Sequence, residues 1–366
     1  MSENDEKKEF QIWKSYEYMN NINEYKDIYK FQQLNDDVVN VNQVEKLVDS
    51  PLISIIIYCN EFKYLPKTIN SIENQDFIYL EIILIYDNNN DENFQLIEKY
   101  TSQFNNIKLI SNNDIKGALY SISKGVLSSK GEYVLILEPG FTLAKRNTLT
   151  EIYYEASDNG YDILEFNLLI NNRERITTDS LSFSLCKHVP SNLGLNSIRN
   201  KNYFLGIDQQ NDILGNQLIK RNLFANLVSK YNFIDIKRKI YNYYDDIFLF
   251  LLYNDMSSFK TSEMSGIINN IKNTKSLSLY EIKNEKNQKI KDIIFYINFL
   301  FDNTIDTTEA KELVANEYIG IMNIIYNKYN KLTDESYNLY KKFMNDNNLN
   351  DQTKESLYLY YSSLKN

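Results

Sequence analysis

The carboxylates that close apolar runs are the residues best placed to do chemistry. Asp87 ends the run EIILIYD and is followed by Asn88, Asn89, Asn90 and Asp91. Glu138 follows YVLIL and opens the turn-prone Glu138-Pro139-Gly140. Asp245 and Asp246 stand side by side before the apolar stretch IFLFLL. A carboxylate at a strand end can accept hydrogen bonds from a nucleotide base or ribose, or hold a metal-bound diphosphate. Paired acids before a helix can supply a general base that takes a proton from a hydroxyl. Each has a plainer alternative. Asp87 could belong to an Asx-rich turn that caps the next helix. Glu138 could be a solvated acid on a tight turn, and Asp245-Asp246 could simply favour a helix N-terminus. Gly117 fits either a close approach to a phosphate or the start of a helix.

The scarce residues exclude several chemistries. The chain of 366 residues holds one histidine, His188, and two cysteines, Cys59 and Cys186. That is too few for an ordinary zinc site or a disulfide framework. No nucleophile elbow surrounds His188. Any metal would be an oxygen-ligated hard cation. With 40 Lys+Arg against 49 Asp+Glu, the formal charge is −9, which argues against a nucleic-acid or anionic-membrane binder. No export signal is visible at Met1–Phe10. The densest apolar stretch, Ile293–Phe301, is far shorter than the ~20 residues a bilayer span needs. The expectation is a soluble, cytoplasmic protein in a reducing compartment.

These acids need elements to hold them. Ile53–Tyr58, Glu81–Tyr86 and Tyr133–Leu137 read as buried strands and Ile107–Ile110 as a short strand. Leu65/Ile69/Ile72, Phe94/Ile97/Tyr100/Phe104 and Ile115/Leu119/Ile122/Val126 recur at helical spacing between them. Alternation of this kind predicts βαβ units, hence an α/β fold with a mostly parallel sheet flanked by helices. Ligands of such sheets bind outside the carboxyl ends of the strands. Those ends are Tyr58–Glu61, Asp87–Asp91, Ser111–Lys116 and Glu138–Phe141. Leu149–Ala156 predicts a helix and Ile163–Ile170 a strand. Gly215–Lys230 predicts a helix, as does the segment after Asp245-Asp246. The expected organisation is a helical extension over 1–50, a main domain over 51–276 and a helical extension over 277–366. Within the last, Asp306 and Glu309 resemble a capping box.

Taken in order, these segments resemble the family-two glycosyltransferases of the GT-A fold, a Rossmann-like nucleotide-diphospho-sugar transferase architecture. ISIIIYCNEFKYLPKTINSIENQ resembles the family's opening strand, Asn turn and helix. EIILIYDNNNDEN resembles its nucleotide turn. IKGALYSISKGVLSSKGEYVLILEPGFTL resembles its glycine, helix, strand and metal motif. GNQLIKRNLF and YYDDIFLFLL resemble its acceptor-side helix and acidic motif. The match runs from about Pro51 to Leu252. The resemblance implies transfer of a sugar, of hexosyl type and with inversion, from a nucleotide-sugar to a glycan, lipid or protein acceptor. By the same resemblance Asn60, Asp87, Gly117 and Glu138 lie on the donor side. Asp246, with Asp245 beside it, would deprotonate the acceptor. A divalent cation, Mn or Mg, would normally neutralise the diphosphate.

The chain departs from the family at the metal motif. Where an Asp-x-Asp-Asp-like motif is expected it reads Glu138-Pro139-Gly140-Phe141. Gly140, at the position of the usual metal ligand, has no side chain, which leaves Glu138 as the one candidate ligand of this degenerate motif. Tyr86 replaces the first aspartate of the nucleotide turn. Lys145 and Arg146 are candidate substitutes for the metal's charge. Two functions therefore compete. One is a working transferase with weakened or absent metal dependence. The other is an inactive binding or scaffold protein on the same fold, its C-terminal helices docking a protein partner.

Overall fold

The computed structural model describes residues 51–59, 62–87, 92–172, 175–178, 214–241, 244–270, 286–303, 311–312, 314–315, 318–319, 334–347 and 349–363. The N-terminal extension, Asn60, Cys186, His188 and the Asp306/Glu309 capping box lie outside these residues.

Four strands form a parallel platform: β1 (Ile53–Cys59), β2 (Leu80–Asp87), β3 (Ile107–Asn112) and β4 (Tyr133–Ile136), in the order β3-β2-β1-β4. Helix α1 (Leu65–Glu73) follows β1, α2 (Glu92–Thr101) follows β2, and α3 (Ala118–Ser128) follows β3. The expected βαβ alternation is therefore present. The sheet continues through β8 (Gln217–Lys220), β6 (Ile163–Asn172), β9 (Phe259–Asn269) and β5 (Phe141–Leu143), with β7 (Arg175–Thr178) against β6. This second half mixes directions: β4–β8, β6–β8, β6–β7 and β5–β9 are antiparallel, while β6–β9 is parallel. Helix α4 (Thr148–Ser157) follows β5, α5 (Arg221–Tyr231) follows β8, and α6 (Tyr244–Asp255) precedes β9.

The continuous apolar runs have a simple cause: both sheet faces are covered. Side chains alternate along a strand. Ile53, Ile55, Ile57 and Cys59 pack on one face with Leu65, Ile69, Ile72, Leu149 and Ile152. Ile56 and Tyr58 pack on the other with Leu119, Ile122, Val126 and Phe248. Each fully buried Leu, Ile or Val contributes roughly 1.5–3 kcal/mol. Cys59 is fully buried among apolar residues, as expected for a small core side chain.

Two differences from the sequence expectation matter. The stretch Gly215–Lys230 is not one helix: its first part forms a 3₁₀ turn (Leu214–Asn216) and strand β8, and only Arg221 onward is α-helical. Strand β9 was unexpected, because its first half, FKTSEM, carries no apolar run. Beyond it lie α7 (Lys286–Asn303), α8 (Asp334–Asn345) and α9 (Asp351–Ser363). Ile294, Ile297, Leu300, Phe301, Phe343 and Leu357 join the same core as Ile56 and Phe248, so the C-terminal helices continue the core of one sheet face. Among the described residues no helix is long and apolar enough to cross a membrane.

Candidate active site

Strand parity gathers the candidate residues. On β2 the side chains of Ile83 and Ile85 point to the α3 face, so Asp87, two residues on, does too. On β4 Val134 and Ile136 point the same way, and Glu138 follows at the same parity. Because β2, β1 and β4 are parallel neighbours, both acids emerge at one rim. Helix α6 brings its first turn, Tyr244-Asp245-Asp246, to that rim, where the Tyr244 hydroxyl donates to Glu138 Oε1.

Asp87 is 4% exposed and surrounded by donors. Its Oδ2 accepts from Tyr58 Oη at 2.9 Å and from the backbone N–H groups of Lys116 and Gly117, each at 2.9 Å. Its Oδ1 accepts from Asn112 Nδ2 at 2.7 Å and Ser121 Oγ at 3.0 Å. A carboxylate has about four lone-pair positions, so these protein donors saturate it. Lys124 Nζ extends the network by donating to Asn112 Oδ1 at 2.7 Å. Gly117 is the N-cap of α3. The negative charge that a helix N-terminus favours is thus supplied from inside the protein, by Asp87.

Gly117 has φ +91°, and a Cβ there would lie 2.7 Å from the carbonyl oxygen of Ile240. The same carbonyl accepts from the Leu119 N–H at 3.2 Å. The close backbone approach that this glycine permits is therefore that of Ile240. Neither Tyr58, Asn112, Ser121 nor Ile240 was singled out from sequence. Tyr58 and Asn112 do sit at the strand ends where a ligand was sought.

Glu138-Pro139-Gly140-Phe141 is a hydrogen-bonded turn: Phe141 N–H donates to the Glu138 carbonyl at 3.0 Å. Gly140 has φ +95°, and Pro precedes it, the pattern of a type II turn. Thr68 Oγ1 accepts the Gly140 N–H at 2.8 Å, and Asn270 Nδ2 donates to the Gly140 carbonyl at 3.2 Å. The expected tight turn is present, but its acid is hydrogen-bonded to Tyr244 rather than simply solvated.

Electrostatics at the rim favour bound protons. Burial pushes the Glu138 carboxyl up to about 7, partly countered by the Tyr244 hydrogen bond. Burial raises Asp245 well above the ordinary carboxylate range, and the charges of Glu138 and Asp246 add to this. A hydrogen bond from the Leu214 backbone acts the other way. Asp245 and Asp246 are both half-buried.

Lys145 and Arg146 are carried away from the rim. Gly140 bonds Thr68 on α1, whereas the Lys145 carbonyl accepts from Gln75 Nε2 at 2.7 Å and Arg146 O from the Asp76 N–H at 3.0 Å. Thr68 lies five residues before the end of α1 at Glu73, and Gln75 and Asp76 lie beyond that end, so the two attachments are separated by at least about 7 Å along the helix. Lys145 Nζ instead lies 3.9 Å from Glu151. Among the described residues Lys116 stands at the rim, paired with Asp114 at 2.8 Å, and Lys124 reaches the same network through Asn112.

A hard divalent cation needs several charged oxygens. The Glu138 carboxyl is tied to the Tyr244 hydroxyl, and Gly140 brings no side chain. Among the described residues no three His, Cys, Asp or Glu side chains converge to hold a metal ion. This donor set fits Mn or Mg poorly.

Comparison with known proteins agrees with this architecture. The family model "Glycosyl transferase family 2" matches residues 54–226. Glycosyltransferase GlyG of Streptococcus pneumoniae is 26% identical over 116 residues, covering 31% of this chain and 38% of that protein. A cholesterol galactosyltransferase of Borreliella burgdorferi is 30% identical over 122 residues, covering 33% and 34%. The matched stretch thus spans well under half the length of these curated relatives. The crystal structure of S. aureus TarS 1-349 in complex with UDP-GlcNAc superposes with a TM-score of 0.59 at 13% identity, covering 85% of this chain and 87% of that one. Residues 54–226 therefore resemble glycosyl transferase family 2, and the chain has the α/β GT-A fold that TarS shows.

Proposed function

We propose that the protein is a glycosyltransferase that moves a sugar from a nucleoside-diphosphate donor to an acceptor hydroxyl with inversion. The observation that carries this is the meeting of Glu138 with Tyr244-Asp245-Asp246 at the rim beside the Asp87–Gly117 turn. The relatives' names and the UDP-GlcNAc complex of TarS support the substrate class.

Asp246 is the base in this scheme. Environments that push neighbouring carboxyls apart assign acid and base roles. Burial and the neighbouring carboxylates raise the Asp245 carboxyl, and the scheme gives Asp246 the hydroxyl proton as the oxygen attacks the anomeric carbon. The departing nucleoside diphosphate takes the bond's electron pair. Asp87 contributes by holding the Lys116–Gly117 backbone in place. Asn60, outside the described residues, retains its donor-side assignment. No step of this scheme is assigned to Mn or Mg, for which Glu138 and Gly140 offer a poor donor set.

Calorimetric titration with UDP- and GDP-sugars, with and without Mn²⁺, tests the donor half. Asp246→Asn tests the base: turnover should fall about 10²–10⁴-fold while UDP affinity holds. Undiminished turnover removes Asp246 from the mechanism.

One observation favours a second function, an inactive binding or scaffold protein. Gly140, at the position of the usual ligand, is locked into a turn by Thr68 and Asn270. Absence of any nucleotide binding would select that alternative.

A further inference from the structure

Helix α7 reaches the candidate site through one buried acid. Asp292 is fully buried, and its Oδ2 accepts the N–H of Tyr241 at 3.1 Å. Tyr241 adjoins Ile240, whose carbonyl accepts from Leu119 at 3.2 Å and abuts Gly117. On its other side the same segment leads to Tyr244, which opens α6 and bonds Glu138. The Ile240–Tyr241 backbone is thus a wall against the donor-side turn, and the chain leads on from it to the acidic motif.

Other contacts press α7 onto the segment that leads into this wall. Arg238 Nη2 donates to the Lys291 carbonyl at 3.0 Å, and its guanidinium lies 5.8 Å from the Phe295 ring centre. Phe299 packs at 5.9 Å from Phe233 and 5.7 Å from Tyr231. None of these contacts needs a carboxylate. Asp292 is a carboxyl, and a fully buried carboxyl is costly unless it is hydrogen-bonded, so its bond to Tyr241 points to a directional role.

We propose that Asp292 is a positioning residue for sugar transfer, through which the C-terminal helix α7 sets the Ile240–Tyr241 wall and hence the spacing of Gly117 and Asp246. This rests on the transferase function above. A displacement of about 1 Å far from the chemistry can cost up to ~10²-fold in rate.

The test uses the full chain. Two quantities are read: amide exchange of the segments holding Leu119 and Tyr241, and kcat and KM for UDP release from UDP-GlcNAc or UDP-galactose. Asp292→Ala should speed exchange at both segments about tenfold and lower kcat/KM at least about tenfold. Asp292→Asn keeps an acceptor oxygen and should show a smaller, roughly threefold, change in both. Leu300→Ala, elsewhere on α7, serves as a purely structural control: it should lower Tm without changing Leu119 exchange or kcat/KM. If Asp292→Ala does not fold, Asp292→Asn against Leu300→Ala decides. Unchanged exchange at Leu119 in a folded Asp292 variant overturns the proposal. So does a turnover loss no greater than that of a Leu300→Ala variant with the same Tm. A wild-type chain that releases no UDP defeats the transferase function instead, while the exchange data still decide whether Asp292 sets the Ile240–Tyr241 wall.

Discussion

The N–H of Gly117 donates to Oδ2 of Asp87 over 2.9 Å, joining the end of β2 to the start of α3 across 30 residues of sequence. The Lys116 N–H reaches the same oxygen at 2.9 Å. One buried carboxylate therefore sets a strand end, a loop and a helix start together. Asp87→Ala should strand these donors along with Tyr58, Asn112 and Ser121, at a cost of about 3–5 kcal/mol. Asp87→Asn should cost about 1–2 kcal/mol. Calorimetric unfolding measures both. A loss below about 0.5 kcal/mol for the alanine variant would mean the network is redundant.

Restoring the missing ligand should not restore a metal site. Gly140→Asp places a Cβ at φ +95°, a conformation that costs a non-glycine residue about 1–3 kcal/mol. The Gly140 N–H and carbonyl are held by Thr68 and Asn270, so the turn resists relaxing. The expected outcome is a lower Tm and UDP binding that Mn²⁺ does not tighten. Metal-dependent tightening in the variant would contradict the locked-turn account.

Glu138 should make stability fall as pH rises. Its carboxyl moves from an ordinary 4.5 up to about 7, with burial the cause. The folded state therefore holds more protons than the unfolded state between these values. The group's contribution is complete below pH 4.5 and lost as pH climbs through about 7. A shift of this size corresponds to at most about 3 kcal/mol. Glu138→Gln is a neutral isostere that can still accept from Tyr244. It should match the wild type at pH 5 and exceed it in Tm at pH 8. Equal Tm differences at the two pH values would refute the proton assignment.

The C-terminal helices should unfold with the sheet. Phe343 on α8 packs edge-on against Phe301 of α7, with ring centres 4.5 Å apart, in the core that includes Ile56. Phe343→Ala should cost about 3–5 kcal/mol. A single shifted transition is expected by both calorimetry and far-UV circular dichroism. A separate early transition, with the main one unmoved, would show that α8 unfolds independently.

The sequence by itself determined the parallel platform and the rim. Strands β1, β2 and β4 are buried on both faces, so their runs are apolar except for Ser54 and Glu81 near the strand starts, and polar residues follow or end them. Those ends, Asp87 and Glu138, were legible for that reason. Strands β8 and β9 were not, because antiparallel or partly exposed strands mix polar and apolar residues over a few positions. Only tertiary structure decided what each carboxylate touches. Tyr58, Asn112, Ser121 and Gly117 meet Asp87 from 25 to 34 residues away, and Tyr244 meets Glu138 from 106 away. Local sequence carries period and turn chemistry, whereas the partners of a buried charge come from chain segments that only folding brings together.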